Sequence, residues 1–402
     1  MKPFPKPAPR GRLAAQPAPH HTAQHNPHNT APHMPINFDQ TRWEKIRSTH
    51  RQWWDGQLER PLIPLTLGGG DPGRPEPETP LLSQSTCHDL GIPAERLIDR
   101  IDYELSRQTW LGDAFPYFNM HCFGPGVLAA ILGATLDNST GRVWFHPPAP
   151  ETPIQEIHFR FDPDNIWFRR LCEIYGAGMQ RWQGQVLMGM TDLGGGLDVL
   201  STFRPGEALL LDLYDHPDEV KRLVGEEHEA WHQCYNALNS VLRSANPGYS
   251  DWAGIFSDKP GYVLQSDFSY MTSHEMFEEF ALPELAASCR RLERSMYHLD
   301  GVGQLQNLDS ILTIPELGAV QWVPGDGKPD HRHWPQVHQK IAAAGKRFQL
   351  FGGPAAEGLD ILDCVSRQIG TAKGIHLRCG LQFVSGDELK TLRERMSAYG
   401  VG

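Results

Sequence analysis

In the segment SMYHLDGVG, His298 and Asp300 stand two residues apart. At the end of a strand that spacing sets both side chains on one face, because successive strand residues alternate sides. An imidazole and a carboxylate so placed can chelate one metal ion or work as an oriented acid–base pair. Cys379, which closes IHLRC, offers a sulfur. With His298 and Asp300 it would make a histidine, carboxylate and thiolate set with one open position, a donor set suited to catalytic zinc. The plainer reading is a strand-end histidine bonded to its neighbouring aspartate, and a cysteine acting as a small buried apolar residue. Both readings stand at this point.

Other polar residues fall at similar places. Asp267 closes the apolar run YVLQSD and either fixes a substrate or caps the helix opening near Ser273. Asp192 precedes Gly194, Gly195 and Gly196 in MTDLGGG, and either binds substrate or stabilises its own turn. These two are the expected catalytic carboxylates. Gln321 and Trp322 in AVQWVPGDG, with Tyr297 beside His298, are candidates to line the substrate site, although such aromatic residues more often pack in a core. The compact loop GDAFPYFNMHCFGPG, with Asp113, His121 and Cys122, reads either way.

The elements that must position these groups are β-prone apolar runs alternating with helical stretches, the pattern of an α/β protein with a parallel sheet. Candidate strands cover residues 62–67, 185–193, 262–268, 295–299, 319–323, 347–351 and 375–379. The last four recur at about one strand–helix interval, with helical stretches such as HQKIAAA between them. That repetition predicts a closed (β/α)8 barrel, a TIM barrel, in which chemistry sits at the carboxyl ends of the strands. A doubly wound open sheet is the rival, but no GxGxxG turn supports a nucleotide-binding version. Pro283 should kink or divide the amphipathic run FEEFALPELAASCRRLERS, and DHPD at 215–218 should open a helix from Glu219. The stretch from Gly68 to about Pro80, GGGDPGRPEPETP, reads as a loop by its Gly and Pro content, and the segment from there to Pro153 is irregular and carries no assignment.

Composition narrows the function. The chain has 402 residues, 40% of them hydrophobic and 21% charged, with a formal net charge of −11. No basic footprint invites nucleic acid, no apolar run spans a bilayer, and an anionic substrate would need a local basic pocket against the overall field. A small-molecule substrate is expected. The 7 cysteines are scattered without a CxxC pair, which favours reduced thiols in the cytoplasm. Residues 1–35 are rich in Pro, His, Ala and Asn and read as a disordered tail that buries too little apolar surface to fold. Met34 opens the first ordinary-looking stretch, MPINFDQTRWEKI, and is a second candidate start beside Met1. Residues 36–402 are expected to form one domain.

Three blocks, in order, resemble the uroporphyrinogen decarboxylase-like superfamily over roughly residues 185–395. They are MTDLGGGLDVL followed by LYDHPDEVKRL, then LQSDFSYMTSHEMFEEFALPEL, then MYHLDGVGQLQNLDSI. That superfamily folds as a (β/α) barrel and includes zinc-dependent methyltransferases that serve corrinoid proteins. The resemblance implies zinc held by His298, Asp300 and Cys379, with Asp300 where that branch carries a cysteine, and substrate positioned by Asp267 and Asp192. It implies a corrinoid protein as a possible partner. The decarboxylase branch is the alternative activity, yet its arginine-rich amino-terminal motif is matched here only by Arg51-Gln52-Trp53-Trp54. A non-catalytic subunit that binds a corrinoid protein is the third reading.

Overall fold

The computed structural model describes residues 36–149 and 152–402, so the expected tail lies outside the described residues. Eleven strands are formed: β1 Pro64–Leu67, β2 Thr109–Gly112, β3 Tyr117–Phe118, β4 Thr135–Asp137, β5 Trp144–His146, β6 Leu187–Met188, β7 Gly261–Gln265, β8 Arg294–Asp300, β9 Leu317–Val323, β10 Arg347–Phe351 and β11 Ile375–Arg378. The strands β7 to β11 make a five-stranded sheet in the order β11-β10-β9-β8-β7. Every pairing within it is parallel.

Parallel neighbours need long crossovers, and the chain supplies helices Leu282–Arg291, Leu308–Leu312, Pro335–Ala343 and Ala355–Ile369 between successive strands. β7, GYVLQ, is buried along its whole length, as a parallel strand covered on both faces must be. Pro283 divides its run as the sequence suggests. The chain passes through His274–Met276 and a π segment, Phe277–Ala281, before the helix Leu282–Arg291 begins with the proline in its first turn, where a missing N–H is harmless.

The amino-terminal half departs from the expected regular barrel. The run at 62–67 bends: Leu62 bridges His376 in parallel, while β1 pairs antiparallel with β2. The run at 185–193 is a strand only at β6, which pairs in parallel with the short β3. Beyond it the backbone is held by single bonds, Met190 N–H to Ser250 O (2.8 Å) and Leu193 N–H to the Tyr262 hydroxyl (2.7 Å). Among the described residues, then, the fold is mixed α/β with a five-stranded parallel sheet and a separate parallel pair, and a continuous eight-stranded ladder is not formed.

Candidate metal-binding site

One row of residues across the sheet is polar where a core would normally be apolar. Register places Gln265 beside His298, His298 beside Gln321, Gln321 beside Gln349 and Gln349 beside His376. Gln265, Gln321, Gln349 and His376 are all buried. Buried amides persist only when bonded, and Gln321 and Gln349 bond to each other and to His298 and His376. Gln349 Nε2 donates to Ala253 O (3.0 Å), and that carbonyl can only accept, so the direction of the whole chain is set. Gln349 Oε1 therefore accepts from Gln321 Nε2 (2.5 Å), and Gln321 Oε1 faces His298 Nδ1 (2.5 Å), which must carry the proton. The second ring nitrogen, Nε2, is left with a free lone pair. Loss of hydration lowers the His298 pKa, so the ring is a neutral donor.

The next row lies at the carboxyl ends of the strands. One ligand atom each from Asp267, His298 and Asp300 lies within 4.8 Å of the others. His298 and Asp300 converge because β8 alternates, as their spacing requires. Asp267 arrives by another route. The backbone at Gly195 approaches the end of β7 so closely that a Cβ there would stand 2.0 Å from Gln265 O. That approach brings the helix Gly196–Phe203 against the chain after β7. Its Asp198 carboxylate accepts from Asp267 N–H (3.0 Å) and Phe268 N–H (2.7 Å) and fixes the Asp267 backbone.

These acids crowd one another. Asp267 keeps solvent contact at the mouth, but loss of hydration, then Asp300 and Asp192, push its carboxyl up to about 7. Asp198 is raised by burial and then by Asp267, and Asp192 is pushed up to about 7, mainly by burial. A neutral imidazole facing Asp300 and an Asp267 carboxyl held above its ordinary range is the situation that a divalent cation relieves. Tetrahedral ligation at about 2.1 Å would set donor atoms about 3.4 Å apart, so side-chain shifts of about an ångström would close the group on an ion. The residues present fit zinc.

Asp267 lies between two open cavities. One, of about 490 Å³, runs under the β4–β5 hairpin past Trp144, Phe145, Phe268 and Met271. The other, of about 360 Å³, holds Asp267 and Asp300 with Asp326 and Lys328. Other residues singled out from sequence fall elsewhere. Gln321 is buried and orients His298. Tyr297 and Trp322 alternate away from that face; the Tyr297 hydroxyl donates to Gln304 Oε1 (2.9 Å), and Trp322 packs edge-on against Trp334 at 5.5 Å. Strand alternation thus removes both from the mouth. Asp192 is buried, and its carboxylate accepts from Gly194 N–H (3.0 Å), the turn-stabilising role. Cys379 is not among the converging ligand atoms and lines a third cavity with His376 and Arg378. Asp113 is locked by Arg60 in a two-pronged pair (2.7 and 2.8 Å), and Arg51 pairs with Asp258 at the exposed side of the first helix.

The sequence missed Asp198 and Gln349. Asp198 follows the three glycines that had drawn attention to Asp192, and that glycine run was the available signal. The role of Gln349 depends on sheet register, which the sequence does not show.

No known family description matches the chain, and no curated protein does. A solved methyltransferase from Methanosarcina mazei resembles it with a TM-score of 0.57 at 11% identity, over 89% of this chain and 99% of that one. At that identity the likeness establishes a shared fold.

Proposed function

We propose that the chain is a metal-dependent methyltransferase of the uroporphyrinogen decarboxylase-like superfamily, with residues 36–402 forming one (β/α)8 barrel. On this reading the five-stranded sheet and the β3–β6 pair are two arcs of the barrel wall, and the bridge between Leu62 and His376 sets the segment before β1 beside β11 as a further part of that wall. The convergence of Asp267, His298 and Asp300 carries the functional reading. These three would hold zinc, with the Asp267 carboxylate taking the place first given to the Cys379 sulfur. Bound there, zinc would lower the pKa of an incoming thiol or polarise a substrate oxygen.

The chain's own residues do the rest. Gln321 holds the His298 ring in the tautomer that presents Nε2, and Asp198 holds the Asp267 backbone. Trp144, Phe145 and Met271 give the large cavity an apolar wall. Trp144, Tyr270, Met271, Leu381 and Phe383 are exposed large apolar side chains near the carboxyl ends of the strands, a surface suited to a corrinoid protein delivering or receiving a methyl group. All seven cysteines are free, which suits the cytoplasm.

Metal analysis of tag-free protein tests this directly. One zinc per chain is expected, lost in His298→Ala and retained in Cys379→Ser. Metal-free wild-type protein, or Cys379→Ser protein that loses its zinc, overturns the ligand set.

A further inference from the structure

The third cavity, of about 180 Å³, is lined by Thr66, Gln108, Phe115, Tyr117, His376, Arg378 and Cys379 among others. It is smaller than the roughly 300–1,000 Å³ of a pocket for a whole drug-sized ligand, and suits a head group. No carboxylate lines it. Arg378 ends β11 at the position register pairs with Phe351, two residues beyond His376, so it stands in the same row as Asp300. Its guanidinium passes over the Phe351 ring at 5.7 Å and makes no ion pair with a described residue. Buried Asp251 feels the Arg378 charge, but its oxygens accept from Ala253 N–H and Val263 N–H and make no ion pair with it, so a partly buried guanidinium is left for something else to neutralise.

His376 is buried and lines the same cavity, and its Nδ1 faces Gln349 Nε2 at 3.0 Å. Because Gln349 donates there, the His376 proton sits on Nε2, and that buried N–H has no partner among the described residues. The His376 ring lines the cavity but its Nε2–H is enclosed by protein, so Arg378 is the cationic donor that opens onto this small space. The other cation at the mouth, Lys328, shares its cavity with Asp267, Asp300 and Asp326, where acids outnumber it.

We propose that Arg378 anchors the oxyanion head group of a small acidic substrate whose reacting end reaches Asp267, His298 and Asp300. This rests on the metal-site reading for where the reacting end lies, but the anion site itself does not. Asp300 and Arg378 stand three strand spacings apart, about 14 Å along the sheet and less across its curve, which sets the span of the substrate. A carboxylate and a phosphate share this chemistry, and the two-pronged guanidinium geometry accepts either.

Calorimetry with benzoate, phenyl phosphate and neutral benzamide tests the proposal on the full chain. Wild-type protein should bind one or both anions at least about tenfold more tightly than benzamide, the worth of a charge-assisted hydrogen bond. The tighter anion identifies the head group. Arg378→Gln should erase the preference, Arg378→Lys should restore part of it, and both should keep the wild-type metal content and melting temperature. Equal affinity for anion and amide, absence of anion binding, or an undiminished preference in Arg378→Gln overturns the proposal. His298→Ala protein separates the two readings: it should lose metal yet keep the anion preference, and a wild-type protein without zinc that still prefers the anions removes only the metal site.

Discussion

Two clusters of acids and imidazoles in this protein use the same residue types to different ends. At the strand ends, Asp267, His298 and Asp300 face open cavities with their donor atoms aimed at a common point. Between the helices Pro217–Leu242 and Leu282–Arg291, His228, His232, Glu284 and Ser288 face one another. Ser288 Oγ donates to Glu284 Oε1 (2.7 Å), His228 Nδ1 meets the same oxygen (3.1 Å), and His232 Nε2 meets Ser288 Oγ (3.1 Å). These four side chains bond to one another, although Glu227 Oε1, on the same helix, has no partner among the described residues. In the strand-end cluster the protein fixes His298 Nδ1 through Gln321 and the Asp267 backbone through Asp198, and leaves His298 Nε2 and the Asp267 and Asp300 carboxylates to a ligand. Residue type therefore distinguishes the clusters less than the direction in which their lone pairs point.

That contrast can be attacked first through Gly195. Gly195→Ala puts a methyl group against Gln265 O, and overpacking of this kind costs about 1–3 kcal/mol or more when backbone must move. The loop would retreat, carrying Asp198 away from Asp267. A large fall in melting temperature with loss of zinc is expected in thermal denaturation and metal analysis, whereas a stable, zinc-replete variant would show that the close approach does not place Asp267.

Gln321→Leu sharpens the comparison with a smaller effect. It keeps the volume but removes the acceptor for His298 Nδ1–H, and loss of such an outer partner typically weakens a metal site about 10–100-fold. Competition with a chromogenic chelator measures this. Unchanged zinc affinity would mean that the tautomer of His298 is held by something other than the amide chain.

The smallest effect is expected in the helical cluster. Glu227 is buried beside Gly196, and its carboxyl is raised well above the usual range by burial first, then by Glu284 and Asp198. The folded state therefore holds its proton more tightly than the unfolded state. Stability from this group is fully present below the unfolded carboxyl pKa of about 4.3 and is lost as pH rises toward the folded value, with a slope of at most about 1.4 kcal/mol per pH unit. His228 lies on the same helix and faces Glu284, so the acids and this imidazole share the pocket. Glu227→Gln mimics the protonated form. Denaturant melts from pH 5 to 8 should show a flatter profile than wild type, with zinc content unchanged. Parallel profiles would mean that Glu227 is ionised in the folded protein.

The legible part of the site followed from short-range rules. His298 and Asp300 share a face because a strand alternates, and no tertiary contact is needed to know it. The same rule, applied to Tyr297 and Trp322, would have turned them toward the helices, since each is one residue out of phase with a mouth residue. The strands from β7 onward were legible because apolar runs bounded by helices recur at regular intervals. The amino-terminal half was not, because β3 and β6 are two residues long and are held by single bonds to distant loops, leaving no periodic signature.

The sequence alone determined the α/β class, the carboxyl-end location of the polar groups and the pairing of His298 with Asp300, because each depends on local periodicity. Tertiary structure decided which third group joins them. Asp267 and Cys379 lie at opposite edges of the same sheet, on either side of β8, and only the curvature of the sheet and the glycine-permitted approach of the helix Gly196–Phe203 bring the carboxylate, and not the sulfur, to the imidazole. Directionality in the amide chain was likewise beyond the sequence, since it starts from one backbone carbonyl, Ala253 O, nearly a hundred residues from the amide it orients.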